Sequence, residues 1–298
     1  MNIITNLITA IFRETILKHS DNQPLKPKIL ITFLISTFSL VCINYFGSLD
    51  KSLIFINQID LGKELTFLPK KISSFPDFQL LDLIYWALCS FFFYFLVPIS
   101  IIKWGFKENI SEFGLGFKGL TSGFKTYLLF LLVMLPLVWI VSYTDSFQHT
   151  YPFYKIEYNN ASFKHLLIWE AFYFLQFVGL EFFFRGFMVH ALKKHFGFYS
   201  VFVMMIPYCM IHFGKPLPET FGAILAGILL GILSLKSNSI WLGVLLHFSV
   251  ALAMDCFSLM HRWGCVLKEF IQPSLSSKFE DFKLIKPQCQ QMKPAIFG

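Results

Sequence analysis

Charge is scarce in this chain. Only 14% of its 298 residues are Asp, Glu, Lys or Arg, against about 25% in an average soluble domain. That shortage excludes a water-soluble globular enzyme, which needs more charged surface. Paired cysteines are also missing. The six Cys, at 42, 89, 209, 256, 265 and 289, form no CxxC and keep no regular spacing. A disulfide framework or a zinc ribbon is therefore not indicated. Cys42, Cys89, Cys209 and Cys256 fall in apolar segments, where a thiol acts as a small hydrophobe. No HExxH is present, and no internal repeat is visible. Residues 1–20 carry Arg13, Glu14 and Lys18 in place of an unbroken apolar core, so no cleavable signal peptide is expected.

What is present is hydrocarbon. Hydrophobic residues make up 55% of the chain, 38 of them Phe, and the mean hydropathy is +0.61. These values predict an all-α integral membrane protein, a helical bundle crossing the bilayer several times. The net charge of +7 is spread over the segments between apolar runs. That pattern fits contact with anionic lipid headgroups, so membrane lipid is the expected partner and nucleic acid is not.

Residues 2–19 place Ile3, Ile4, Leu7, Ile8, Ile11 and Leu17 at helical spacing, which predicts an amphipathic helix on the membrane surface. A spanning helix needs about 20 mostly apolar residues. Seven candidates follow: 29–49, 80–102, 126–143, 165–187, 198–213, 217–235 and 239–260. Long polar connections separate the first three, and short ones join the last four. The expected organisation is a surface helix and linker at 1–28, a variable transmembrane collar at 29–164, a four-helix core at 165–260 and a polar tail at 261–298. Lys and Arg divide almost evenly between the two sides, so the positive-inside rule does not fix the orientation, and the oligomeric state is likewise left open.

Three polar elements interrupt the last four spans. They are Glu181-Phe-Phe-Phe-Arg185-Gly186, Tyr208-Cys-Met-Ile-His212 and Ser239-Ile-Trp-Leu-Gly-Val-Leu-Leu-His247. A charge at the centre of a spanning helix costs at least ~2.5–3.5 kcal/mol. Such a residue persists when it is paired, lines a wet cavity or does chemistry. Glu181 and Arg185 alone read as an i,i+4 ion pair, and a lone His reads as hydrogen-bonding glue between helices. Together, an acid and two imidazoles on neighbouring spans suit general acid–base activation of water and stabilisation of an oxyanion. Glu181, His212, His247 and Glu219 also form a possible His₂-carboxylate zinc set. No two of those four stand at i,i+4, and no cofactor is expected.

The ordered set resembles the CPBP family of intramembrane proteases, also called the CAAX protease and bacteriocin-processing, Abi or Rce1-like family. The family pattern is Glu-Glu-x-x-x-Arg, then Phe-x-x-x-His, then His-x-x-x-Asn. Here Leu180-Glu181-Phe-Phe-Phe-Arg185, Tyr208-Cys-Met-Ile-His212 and His247-Phe-Ser-Val-Ala251 stand at those places. Supporting matches are Arg185-Gly186-Phe187, Ser239-Ile-Trp241, the small residues Gly222, Gly227 and Gly231, and a soft match at Phe113-Gly-Leu115. The resemblance covers roughly residues 165–255.

The resemblance implies a membrane endopeptidase of metalloprotease or glutamic type, with a glutamate-activated water and no covalent intermediate. It assigns the base to the first Glu acting with the His of the second motif. Oxyanion stabilisation falls to the last His and the Asn after it, and orientation to Arg185. This chain has Leu180 for the first Glu and Ala251 for the Asn. Glu181 itself, Glu219 beyond Pro216 and Pro218, and Glu170 are the candidate replacement bases, in that order. Tyr208 and Asp255 are candidate replacements for the Asn.

The catalytic set read from the sequence is Glu181, His212, His247, Arg185, Glu219 and Tyr208. The expected function is hydrolysis of peptide bonds in a membrane-bound peptide or protein substrate, in the cell (inner) membrane. The alternative is a catalytically silent membrane scaffold or immunity-type protein on the same fold. A solute carrier is disfavoured, because no second half repeats the first and no paired broken helices are seen.

Overall fold

Water is absent from hydrocarbon, so a spanning backbone must satisfy its own hydrogen bonds. The computed structural model describes residues 26–58, 77–117, 120–156 and 160–271. Among them, regular structure is helix apart from one isolated antiparallel bridge, Leu115 to Ser239. The helices are α1 (Pro27–Phe46), α2 (Leu49–Gln58), α3 (Phe78–Phe106), α4 (Leu120–Val141), α5 (Asp145–Thr150), α6 (160–196), α7 (Ser200–Met210), α8 (Leu217–Ser237) and α9 (Trp241–Ile271). The N-terminal surface helix expected over residues 2–19 lies outside the described residues.

Six stretches among the described residues are long and apolar enough to cross a membrane, where the sequence predicts seven. The difference lies in 165–213. Ser162–Met210 is one such stretch of 49 residues. Residues 188–196, expected as a connection, continue α6 because Val189, Ala191 and Leu192 are buried. The chain then breaks at Gly197, whose φ of 55° and ψ of −130° suit a residue without Cβ. With 11 residues, α7 rises only ~16 Å, too little to cross ~30 Å of hydrocarbon alone. Two other boundaries move. Residues 50–58, expected in a polar loop, are helical as α2, and α9 runs past the expected end at 260 to Ile271. Asp82 explains the first shift, because its carboxylate accepts from the Leu49 N–H at 2.6 Å and caps α2 at its start.

The packing is that of a membrane bundle. On α1, Thr32, Ser36, Ser39 and Cys42 are buried, whereas Leu34, Phe38, Val41 and Tyr45 are exposed. Small and polar residues face the neighbouring helices, and large apolar ones face outward where lipid would lie. Leu132, Ile140, Phe221 and Leu225 are likewise exposed on α4 and α8. The exception is α6, where Phe182, Phe183, Phe184 and Phe187 point to different sides and all are fully buried. A helix apolar and buried all round is a central helix.

Close approaches hold this centre in place. A Cβ on Gly231 would sit 2.7 Å from Val201, and one on Gly227 would sit 3.1 Å from Tyr208. The Gly227-x-x-x-Gly231 face thus lets α8 lie against α7. The sequence elements Phe113-Gly-Leu115, Arg185-Gly186 and Ser239-Ile-Trp241 meet in one place. Ile240 N–H donates to Gly114 O at 2.9 Å, Trp241 Nε1 donates to Leu115 O at 3.3 Å, and a Cβ on Gly186 would sit 2.7 Å from Phe113 O. Finally, α6 and α9 run antiparallel. Glu181 meets His247, Phe177 and Phe174 meet Phe248, and Glu170 lies beside Asp255.

Gly186→Ala should therefore force the 110–117 segment away from α6. The expected cost is ~1–3 kcal/mol of stability, the usual scale for overpacking, read as a lowered Tm in detergent or nanodiscs. An unchanged Tm would show that the segment yields freely.

Candidate functional site

The site begins at a change of helix type. Residues Phe182–Met188 of α6 form a π turn, a feature often found at functional sites because the wider turn redirects side chains and frees backbone groups. Glu181 is the last residue before the π turn, and Arg185 lies within it. Both are fully buried.

Glu181 is shared between two cations or donors. Its Oε1 lies 2.8 Å from His247 Nδ1 and 3.1 Å from Arg185 Nη1. Its Oε2 has no hydrogen-bond partner among the described residues and faces Gly243, where a Cβ would come within 2.7 Å of it. The guanidinium of Arg185 has its carbon 3.8 Å from the centre of the Tyr208 ring. That stacked cation–π geometry is one arginine favours. Its nitrogens make no aligned hydrogen bond among the described residues, so the ring and the carboxylate together hold the charge.

Tyr208 carries the second half of the site. Its ring lies 4.8 Å from that of His212 and 6.2 Å from that of His247. Tyr208 O, a carbonyl, can only accept, so His212 donates to it through Nδ1 at 2.8 Å. The Nε2 of His212 then holds a lone pair. Burial lowers the His212 pKa to about 3. The Lys215 charge acts the same way, against the opposing pull of the Tyr208 carbonyl. His212 is a neutral acceptor at neutral pH. By the same accounting, His247 donates through Nδ1 to the Glu181 carboxylate, which leaves its Nε2 as the free basic nitrogen. Phe177 packs against the His247 ring at 4.4 Å. The His247 side chain is 18% exposed, while the Glu181 side chain is fully covered. The imidazole, rather than the carboxylate, reaches the surface.

The structure thus brings Glu181, Arg185, Tyr208, His212 and His247 together. It engages Glu219 elsewhere, since that carboxylate accepts from Lys215 Nζ at 2.8 Å and from Tyr151 Oη at 2.7 Å. Glu170 and Asp255, the other candidate substitutes, lie beside each other. Leu180 and Ala251, at the places of the missing Glu and Asn, are buried in apolar clusters. Among the described residues no three His, Cys, Asp or Glu are placed to hold a metal ion, so the zinc set from Glu181, His212, His247 and Glu219 is not assembled. Gly243 was the residue sequence reasoning missed. It stands four before His247, hence on the same helix face, where an absent side chain leaves room for a carboxylate.

Comparison with family models matches residues 162–253 to one described as type II CAAX prenyl endopeptidase Rce1-like. Comparison with curated proteins and with solved structures finds no match.

Two outcomes follow from this geometry. Gly243→Ala should push the Glu181 carboxylate off its place and lower stability by ~1–3 kcal/mol, read as a lowered Tm in nanodiscs; an unchanged Tm would show that the carboxylate moves aside without strain. His212 has a folded pKa of about 3 against an ordinary ~6.5. Between those values the unfolded chain binds the extra proton, so this contribution is complete above pH ~6.5 and is lost as pH falls toward 3. His212→Gln should flatten the acid side of a Tm-against-pH curve in that window. A curve unchanged by the substitution would place His212 in contact with water.

Proposed function

We propose, from the premise that residues 162–253 are a domain of the CPBP/Rce1-like CAAX-protease family, that this multi-pass all-α membrane protein is an intramembrane endopeptidase using His247 as its base. The observation that carries the reading is the His247 Nδ1 to Glu181 Oε1 bond of 2.8 Å. A carboxylate on one ring nitrogen fixes the tautomer and stabilises the imidazolium that forms when the other nitrogen takes a proton. In the proposed step His247 Nε2 removes a proton from water as its oxygen attacks the peptide carbonyl. His212 Nε2, neutral and lone-paired, accepts the second hydrogen of that water and orients it. The imidazolium then protonates the leaving amine, and the peptide bond breaks to a carboxylic acid and an amine. Arg185 offsets the negative charge of Glu181. The positive field of Lys215, which reaches His212, favours the developing oxyanion. Tyr208 is the platform on which Arg185 and both imidazoles rest.

This assignment moves the base from Glu181, the first choice on sequence grounds, to the imidazole that Glu181 holds. The substrate class supported is a membrane-bound peptide or protein, met from within the lipid of a cell membrane. The second reading, a catalytically silent scaffold on the same fold, has its own observation. Leu180 and Ala251 fill with packed hydrocarbon the places where the family pattern carries a Glu and an Asn.

The test is hydrolysis of a membrane-peptide library by purified protein in nanodiscs. His247→Ala and His212→Ala should each lower the rate by ~10²-fold or more, the scale of a positioned acid–base group. Glu181→Gln should also lower it, and Glu219→Gln should leave most of it. Activity that survives His247→Ala but not Glu219→Gln would overturn the assignment. No cleavage by the unaltered, folded protein would favour the scaffold.

A further inference from the structure

The π turn that carries Arg185 leaves a backbone carbonyl to be satisfied. In an unbroken α-helix the Val189 N–H would bond Arg185 O. Here that N–H goes to Gly186 O and Phe184 O instead. Arg185 O receives the Ser234 hydroxyl from α8, at 3.1 Å. Ser234 Oγ also lies 3.1 Å from His190 Nε2, and His190 Nδ1 lies 2.8 Å from Lys193 Nζ.

The hydrogens of this chain follow from what each group can donate. An ammonium only donates, so Lys193 donates to His190 Nδ1. A carbonyl only accepts, so the one hydroxyl hydrogen of Ser234 goes to Arg185 O. His190 Nε2–H must then donate to Ser234 Oγ. Every donor points the same way, from Lys193 near the end of α6 through His190 and Ser234 to the backbone of Arg185. Ser234 and His190 are both buried, each 2% exposed, so no water competes for these groups, and breaking one link strands a buried polar group.

We infer that Ser234 and His190 are positioning residues. They clamp the Arg185 carbonyl from behind, and so set where the guanidinium meets Glu181 and the Tyr208 ring. The clamp ties α8 to the π turn of α6. It gives an otherwise unremarked Ser and His a role in the geometry of Glu181 and His247 without contact with either. The inference rests on Glu181–His247 being the working pair. Its test reads the geometry of that pair rather than turnover, so the two readings fail separately.

The experiment is ¹⁵N NMR of the full-length protein in nanodiscs, labelled at the histidine ring nitrogens and assigned by single-His variants. Ser234→Ala should displace Arg185 and shift the His247 ring signals, while the His261 signals, far along α9, stay in place. Ser234→Thr keeps the hydroxyl and should restore the native His247 signals. His190→Leu should reproduce the effect of Ser234→Ala. His190→Gln retains a donor toward Ser234 and should keep the native pattern. Native His247 signals in both Ser234→Ala and His190→Leu would overturn the inference. So would equal displacement by His190→Gln and His190→Leu, because then bulk rather than the donated hydrogen would be what matters.

Discussion

A guanidinium that cannot leave the centre of a membrane bundle organises this molecule. Arg185 is fully buried, and arginine stays charged in proteins. It must therefore be neutralised locally, and the structure does so with two groups, the Glu181 carboxylate 3.1 Å away and the face of Tyr208 at 3.8 Å. Each fixes something further. Glu181, held by Arg185, is placed to orient His247. Tyr208, held under the guanidinium, offers its carbonyl to His212. Breaking a buried pair by removing one partner typically costs 3–5 kcal/mol, so the acid, the ring and both imidazoles are coupled to one charge.

The surrounding helices are shaped to let that charge be central. Small residues at Gly227, Gly231, Gly243 and Gly186 allow backbones to close around the site. The four buried Phe of the π turn lie beside the equally buried Glu181 and Arg185. Burial raises the strength of each electrostatic contact and makes each unsatisfied group costly. Large apolar side chains go to the outside of the bundle, where they have lipid to meet, and the middle is built from glycine, serine, aromatic rings and one ion pair.

Much of this was legible in the sequence. Glu181, Arg185, His212 and His247 announce themselves, because ionisable residues in apolar runs are expensive and their spacing places them on neighbouring helices. The meeting of Phe113-Gly-Leu115, Arg185-Gly186 and Ser239-Ile-Trp241 was foreshadowed only as three separate matches. Other features were hidden for physical reasons. Nothing in composition distinguishes a π turn from an α turn at Phe182–Met188, yet the π turn decides where Arg185 and its carbonyl point. Glu219 stood as a candidate base because one of its two partners, Tyr151, lies 68 residues away, beyond any local pattern. The six stretches and the seven predicted spans differ because one 49-residue apolar run has the composition of two spans, while its break at Gly197 leaves α7 with 11 residues.

The central claim is that the Glu181 carboxylate holds the His247 ring by Nδ1–H and leaves Nε2 lone-paired. Ring ¹⁵N shifts of His247 in the unaltered protein in nanodiscs at neutral pH test it directly. The account predicts a protonated Nδ1 and an unprotonated Nε2. A protonated Nε2 with a bare Nδ1 would contradict it.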